Sequence, residues 1–142
     1  MYTISNFTHN DDVKVIEQLG PFQVIEYQRD LSVMPHDAQK AYFCDKMNIR
    51  KRQVICDLSK AHITVQSGAM QWVVGNVAAT TGLKGVGDFL SKAVRGKVTG
   101  EDTIKPEYTG DGTLVLEPTY KHIILLDLKE WNGSIVLDRS EE

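Results

Sequence analysis

Short runs of β-branched and aromatic residues, broken repeatedly by glycine, proline or Asn-Gly, recur along most of this 142-residue chain. Such runs half-bury as strands and the breaks supply turns. Val13 to Gln28 reads as a hairpin around Leu19-Gly20-Pro21. The alternation there is imperfect: Ile16 and Ile25 fall opposite Val15 and Val24, so both faces are partly covered. Ile49 to Gln66 reads as strand, turn at Ser59-Lys60, strand. In the second run Ile63 and Val65 share one face, while His62, Thr64 and Gln66 take the other. In the strand that follows Ser67, Met70, Trp72 and Val74 line one face, and Gly68 and Gly75 mark bulges or close backbone approach. Tyr108 to Thr113, with Gly110 and Gly112, reads as a tight turn into a strand ending at Pro118. Lys121 to Leu128 is apolar on both faces, which predicts a central or covered strand. Trp131-Asn132-Gly133 then predicts a hairpin turn into Ser134 to Asp138.

Two stretches depart from this cadence. Over 83–95, Leu83, Val86, Phe89, Leu90, Ala93 and Val94 fall within one arc at helical spacing, and charged residues occupy the other. An amphipathic helix ending at Gly96 follows. Residues 35–48 fit either helix or strand, because Pro35 and the acids after it resemble a helix start while Ala41 to Met47 alternates. The expected fold is mainly β, a sandwich or barrel-like domain with one amphipathic helix, as a single domain over 1–142.

Composition narrows the class. There are 16 Lys+Arg against 19 Asp+Glu, a net charge of −3, with 42% hydrophobic residues. That balance is ordinary for a folded soluble domain and unlike a disordered chain. The longest strictly aliphatic run, Ile123 to Leu126, is far short of a bilayer span. The polar start lacks the layout of a signal peptide. Two cysteines, Cys44 and Cys56, match neither a disulfide framework nor a redox motif. The expected location is the cytoplasm.

No catalytic constellation emerges. The segment TTGLKGVGDF runs into the helix as a phosphate cradle would, but Asp88 occupies the place where a P-loop carries lysine. A carboxylate there repels phosphate. None of His9, His36, His62 and His122 has a second ligand at metal-binding spacing. No nucleophile elbow occurs. The expectation is a non-enzyme with no cofactor and no metal.

Two basic clusters and one apolar group are the candidate contact residues. Arg50 and Arg52 point to one face of a strand, and Lys92, Arg95 and Lys97 close the amphipathic helix. Together they could meet an anionic partner. Net negative charge and the lack of interleaved aromatics disfavour nucleic acid. Trp72, Phe89 and Leu90 are candidate interface anchors, with intramolecular core as their other reading.

The segment QSGAMQWVVGNV, the Gly-rich helix LKGVGDFLSKAVRGK and the strand-Pro-strand LVLEPTYKHIILLDL, in that order, resemble the altered-inheritance-of-mitochondria family numbered twenty-four. The likeness is good from Gln66 to Leu137 and looser before it. It implies an all-β fold similar to the tryptophan RNA-binding attenuation protein, a short double-stranded β-helix, and association between copies. RNA binding by that protein is a fold-level analogy only. Members of the family usually carry two related halves, so this chain resembles a first half that stops at IVLDRSEE where continuation is expected. The family resemblance carries no catalytic residues. The reading reached is a non-catalytic β domain that forms homo-oligomers and binds a protein partner. The alternatives are a nucleic-acid binder using the basic clusters, and a small-ligand protein or enzyme with a pocket inside the β-structure.

Overall fold

The hairpin expected between Val13 and Gln28 is present as β1 (Val13–Leu19) and β2 (Phe22–Tyr27), paired antiparallel. Gly20 makes the turn possible, since its φ of 54° is one that other residues rarely adopt. The imperfect alternation has a structural cause. The register moves from Val15↔Ile25 to Glu17↔Val24, so Ile16 is the extra residue of a β-bulge and is exposed.

The computed structural model describes residues 4–29, 32–80 and 105–134. The helix expected over 83–95 and the strand expected after Ser134 lie outside them. Residues 35–48 are helical: a 3-10 turn at Pro35–Asp37 leads into α1 (Ala38–Lys46). Pro35, with its fixed φ and no N–H, suits the first position of such a turn.

The remaining strands are β3 (Arg52–Asp57), β4 (Ile63–Thr64), β5 (Met70–Thr80) and β6 (Glu107–Leu116). All six belong to one antiparallel sheet, so the mainly-β expectation with one helix holds. The centre is β6. β5 lies along one side of it over Glu107 to Leu116, and on the other side β3 takes Thr113 to Val115 while β4 takes Glu107 and Tyr108. β2 and β1 continue outward from β3.

Several expectations are corrected. Tyr108 to Thr113 is no turn but continuous β6, and its glycines serve a close approach to β5: a Cβ on Gly110 would strike the Asn76 carbonyl. Met70 does not share a face with Trp72 and Val74. A bulge between Met70 and Trp72 puts Met70 opposite Leu116 and Trp72 opposite Val115, on different faces. The run from Ile49 begins its ladder only at Arg52. Lys121 to Leu128 forms no strand among the described residues. β6 ends at Leu116, and Pro118, with no N–H to give a ladder, separates it from this run. The chain leaves the sheet after Thr119, which exchanges two backbone hydrogen bonds with Arg52 in an isolated bridge. Ile124 and Leu128 are exposed, and Leu128–Trp131 is a 3-10 turn closed by Asn132 in the left-handed region.

Both faces of the sheet are apolar. One carries Cys56, Leu58, Ile63, Val65, Tyr108 and Leu114, and the other Val13, Ile25, Ile55 and Val115 with Phe7 and Trp72 against them. Burying each aliphatic side chain contributes about 1.5–3 kcal/mol, so the two clusters hold the strands from either side.

Candidate functional site

A buried amide organises the region where β2, β3 and β5 meet. Gln53 is 1% exposed, on the same face as Ile55, and every hydrogen-bonding atom of its side chain but one lone pair is used. The Tyr27 hydroxyl donates to its Oε1 at 2.6 Å. Its Nε2 donates to the Leu116 carbonyl at 2.6 Å and to Gln71 Oε1 at 2.6 Å. Among the described residues no buried side-chain nitrogen or oxygen is left without a partner, which is what makes a polar core group tolerable. Gln71 reaches this position because it is the extra residue of the β5 bulge.

A cleft opens over this network, between the sheet and α1. It comprises three adjoining cavities of about 360, 240 and 130 Å³, and Lys51 lines all of them. The largest is bounded by Tyr27, Arg29, Ser32, Gln71 and Pro118, and the smaller two by Ala41, Cys44 and Tyr120. Lys51 Nζ stands 5.9 Å from the centre of the Tyr120 ring, a cation–π distance. The Arg29 guanidinium pairs with Asp12 through Nε.

The candidate cations of the sequence divide in two. Lys92, Arg95 and Lys97 lie outside the described residues. Arg50 and Arg52 are engaged internally. Arg50 donates to the Gln28 carbonyl at 2.9 Å and pairs with Asp45 at 3.3 Å. Arg52 binds Glu26 through two nitrogens at 3.1 and 2.9 Å, with both side chains under 20% exposed. A phosphate approaching Arg52 would have to displace that carboxylate.

Of the candidate anchors, Phe89 and Leu90 lie outside the described residues. Trp72 is half-buried, stacks at a tilt on Phe7 with centroids 5.6 Å apart, and packs on the Val13–Ile25–Ile55–Val115 cluster. Its place is intramolecular.

The titratable groups offer little chemistry. Burial pushes the Cys56 thiol up to about 12, so it carries no thiolate at neutral pH. Asp57 is held below the ordinary carboxylate range, first by the Ser59 hydroxyl at 2.6 Å and further by Lys60. That is a turn-stabilising arrangement. His62 faces Glu107 at 3.8 Å on the surface, and no group of three or more His, Cys, Asp or Glu gathers among the described residues. No helix among them is long and apolar enough to cross a membrane.

Sequence reasoning passed over Gln53, Gln71, Tyr27 and Lys51. Gln53 looked like an ordinary polar position in an alternating strand. For Lys51 a signal existed: alternation sets it opposite Arg50 and Arg52.

The family model for mitochondrial biogenesis AIM24 matches residues 47–141, from the end of α1 through β3 to β6 and beyond. No curated protein and no solved structure matches significantly.

Proposed function

The chain belongs to the mitochondrial biogenesis AIM24 family, and from that premise we propose that it acts without catalysis, as a β domain that associates with copies of itself and binds a protein partner. One observation carries this reading: the outer edge of β5. Over the eleven residues from Met70 to Thr80 there is no charged side chain and no proline. Among the described residues β5 has a neighbour on one side only. A long uncharged edge exposes unpaired N–H and C=O groups and accepts another strand. The opposite edge of the sheet is guarded, since β1 carries exposed Lys14 and Glu17 and a bulge.

Further support comes from apolar surface. Tyr42, Phe43 and Met47 stand 58, 53 and 70% exposed on and just after α1, and Trp131 is 52% exposed. Exposed aromatic and methionine side chains of this kind favour protein contacts. Arg50 and Arg52 already engage Asp45 and Glu26, which favours a protein partner over nucleic acid. For the compartment, the free thiols of Cys44 and Cys56 favour a reducing interior, the cytoplasm in our reading.

Sedimentation velocity tests the assembly. The expected species is a multiple of 15.9 kDa, and Val73→Lys with Ala78→Lys returns it to single chains with unchanged far-UV circular dichroism. A wild-type protein that stays a single chain at tens of micromolar overturns the reading. A native mass spectrum of the same preparation reports any bound small molecule or metal.

A further inference from the structure

The far side of β6 decides which backbone groups of β5 point outward. The Gly112 carbonyl accepts from the Leu58 N–H at 2.9 Å, and the Pro106 carbonyl from the Val65 N–H at 3.0 Å. Those donors directly follow β3 and β4, which flank β6 on the side away from β5. Even-numbered residues along β6 therefore turn their backbone away from β5. Across an antiparallel ladder, opposite residues exchange both hydrogen bonds or neither. Opposite Leu114, Gly112, Gly110 and Tyr108 stand Val73, Gly75, Val77 and Ala79. These residues of β5 thus present their N–H and C=O at its outer edge, where no described residue pairs with them.

Two such edges can meet antiparallel in several registers, and side-chain size tells them apart. Beyond the bulge at Gln71 the strand is regular from Trp72 to Thr80, with Asn76 at its middle. A two-fold axis at Asn76 sets Trp72 against Thr80, Val73 against Ala79, Val74 against Ala78 and Val77 against Gly75. Every larger side chain then meets a smaller one, as facing positions that interdigitate require. This register also engages Val73, Gly75, Val77 and Ala79 of both strands, for about eight hydrogen bonds. Moving the axis to Gly75 or to Val77 leaves about six. At Gly75 it sets Val73 against Val77 and glycine against glycine, and at Val77 it sets that valine against itself. The Asn76 side chain is exposed and makes no hydrogen bond among the described residues. A carboxamide both donates and accepts, so two of them related by the axis satisfy each other.

We infer that two copies of this chain join β5 to β5 in a single register, antiparallel about a two-fold axis at Asn76. The inference rests on the assembly proposed above and adds to it the residue pairs that meet.

Disulfide formation reads the register. Directly opposite residues have Cα atoms about 4.5–5.5 Å apart, within reach of a disulfide, and diagonal ones about 7–8 Å, beyond it. In a Cys44→Ser background, with Cys56 fully buried, variants with one cysteine in β5 are oxidised with diamide. Asn76→Cys is expected to cross-link to itself at least tenfold faster than Val74→Cys or Ala78→Cys alone. An equimolar mixture of Val74→Cys and Ala78→Cys should regain a fast rate. Asn76→Asp, which sets two carboxylates face to face, should raise the dissociation constant of the pair at least tenfold with unchanged far-UV circular dichroism. Faster cross-linking of Asn76→Cys with Val74→Cys moves the axis to Gly75, and with Ala78→Cys to Val77. Either result, or wild-type association in Asn76→Asp, overturns the register while the assembly stands. Sedimentation velocity of the unoxidised wild type separates the two failures, since a single chain there overturns both.

Discussion

Gly75 and Gly112 stand directly opposite each other across the β5–β6 ladder, and the side chain of Val77 lies over the space that a Cβ on Gly112 would need. The Val74 carbonyl closes the same space from another side. Gly112→Ala is therefore expected to cost about 2–3 kcal/mol, as overpacking does, read as a lower urea midpoint at unchanged m. Val77→Ala in the same chain should recover only part of it, since the backbone obstruction remains.

Gln53 ties three elements together, so its removal orphans more than one group. Gln53→Leu removes the hydrogen bonds that Gln53 makes with the Leu116 carbonyl, the Tyr27 hydroxyl and the Gln71 amide. The expected loss is about 3 kcal/mol, at about 1–3 kcal/mol for each buried group left unmade. Tyr27→Phe alone should cost about 1 kcal/mol. A double-mutant cycle of Gln53→Leu with Tyr27→Phe should be clearly non-additive, because both remove one hydrogen bond.

The Cys56 thiol gives stability an alkaline limit. Burial raises it from an ordinary value of 9.0 to about 12. A raised folded-state value stabilises fully below the unfolded one, and that contribution is lost as pH climbs from 9 toward 12. The thiol's share of the slope approaches about 1.4 kcal/mol per pH unit. Denaturation curves of wild type and Cys56→Val between pH 8.5 and pH 11 (about two and a half units) should diverge, with the wild type falling more steeply.

The strands that depend on local rules were legible. Leu19-Gly20-Pro21 marks the hairpin, and Ile63 and Val65 alternate inward as period two requires. Gly75 reads as a bulge or a close backbone approach, and of the two it is the approach, its Cα lying 3.5 Å from where a Cβ on Gly112 would stand. What failed depends on who stands next to whom. Gly110 and Gly112 carry the letters of a turn, and only their facing partners in β5 show that the strand needs them small. Lys121 to Leu128 has the apolar content of a central strand, but none of the described strands pairs with it, and apolar content alone does not say which strand would. The candidate site was least legible of all. Gln53 and Gln71 are 18 residues apart and meet only because a bulge in β5 turns Gln71 toward β3.

Glu26 and Arg52 offer a test of charge inside the sheet. Both side chains are less than one-fifth exposed and are held by two contacts. Glu26→Ala strands the guanidinium and should cost about 2 kcal/mol, below the range of fully buried pairs because some water still reaches it. Arg52→Lys should not preserve wild-type stability, since an ammonium lacks the planar fork that reaches one carboxylate through two nitrogens. Thermal denaturation of the two variants side by side, as melting curves at one pH, reads both effects.

The unequal edges of the sheet also set a limit on size. One rim is free of charge along β5, and the other is guarded by Lys14 and Glu17 of β1. Identical rims meet only about a two-fold axis, each residue of one copy reaching the reciprocal residue of the other. A pair so formed has spent both of its receptive rims. Filament growth would need a head-to-tail join of β5 onto β1, and the charges there oppose it. In the assembly proposed above, closure at two with no fibre is the expected outcome, and it follows from where two charged residues sit on a single strand.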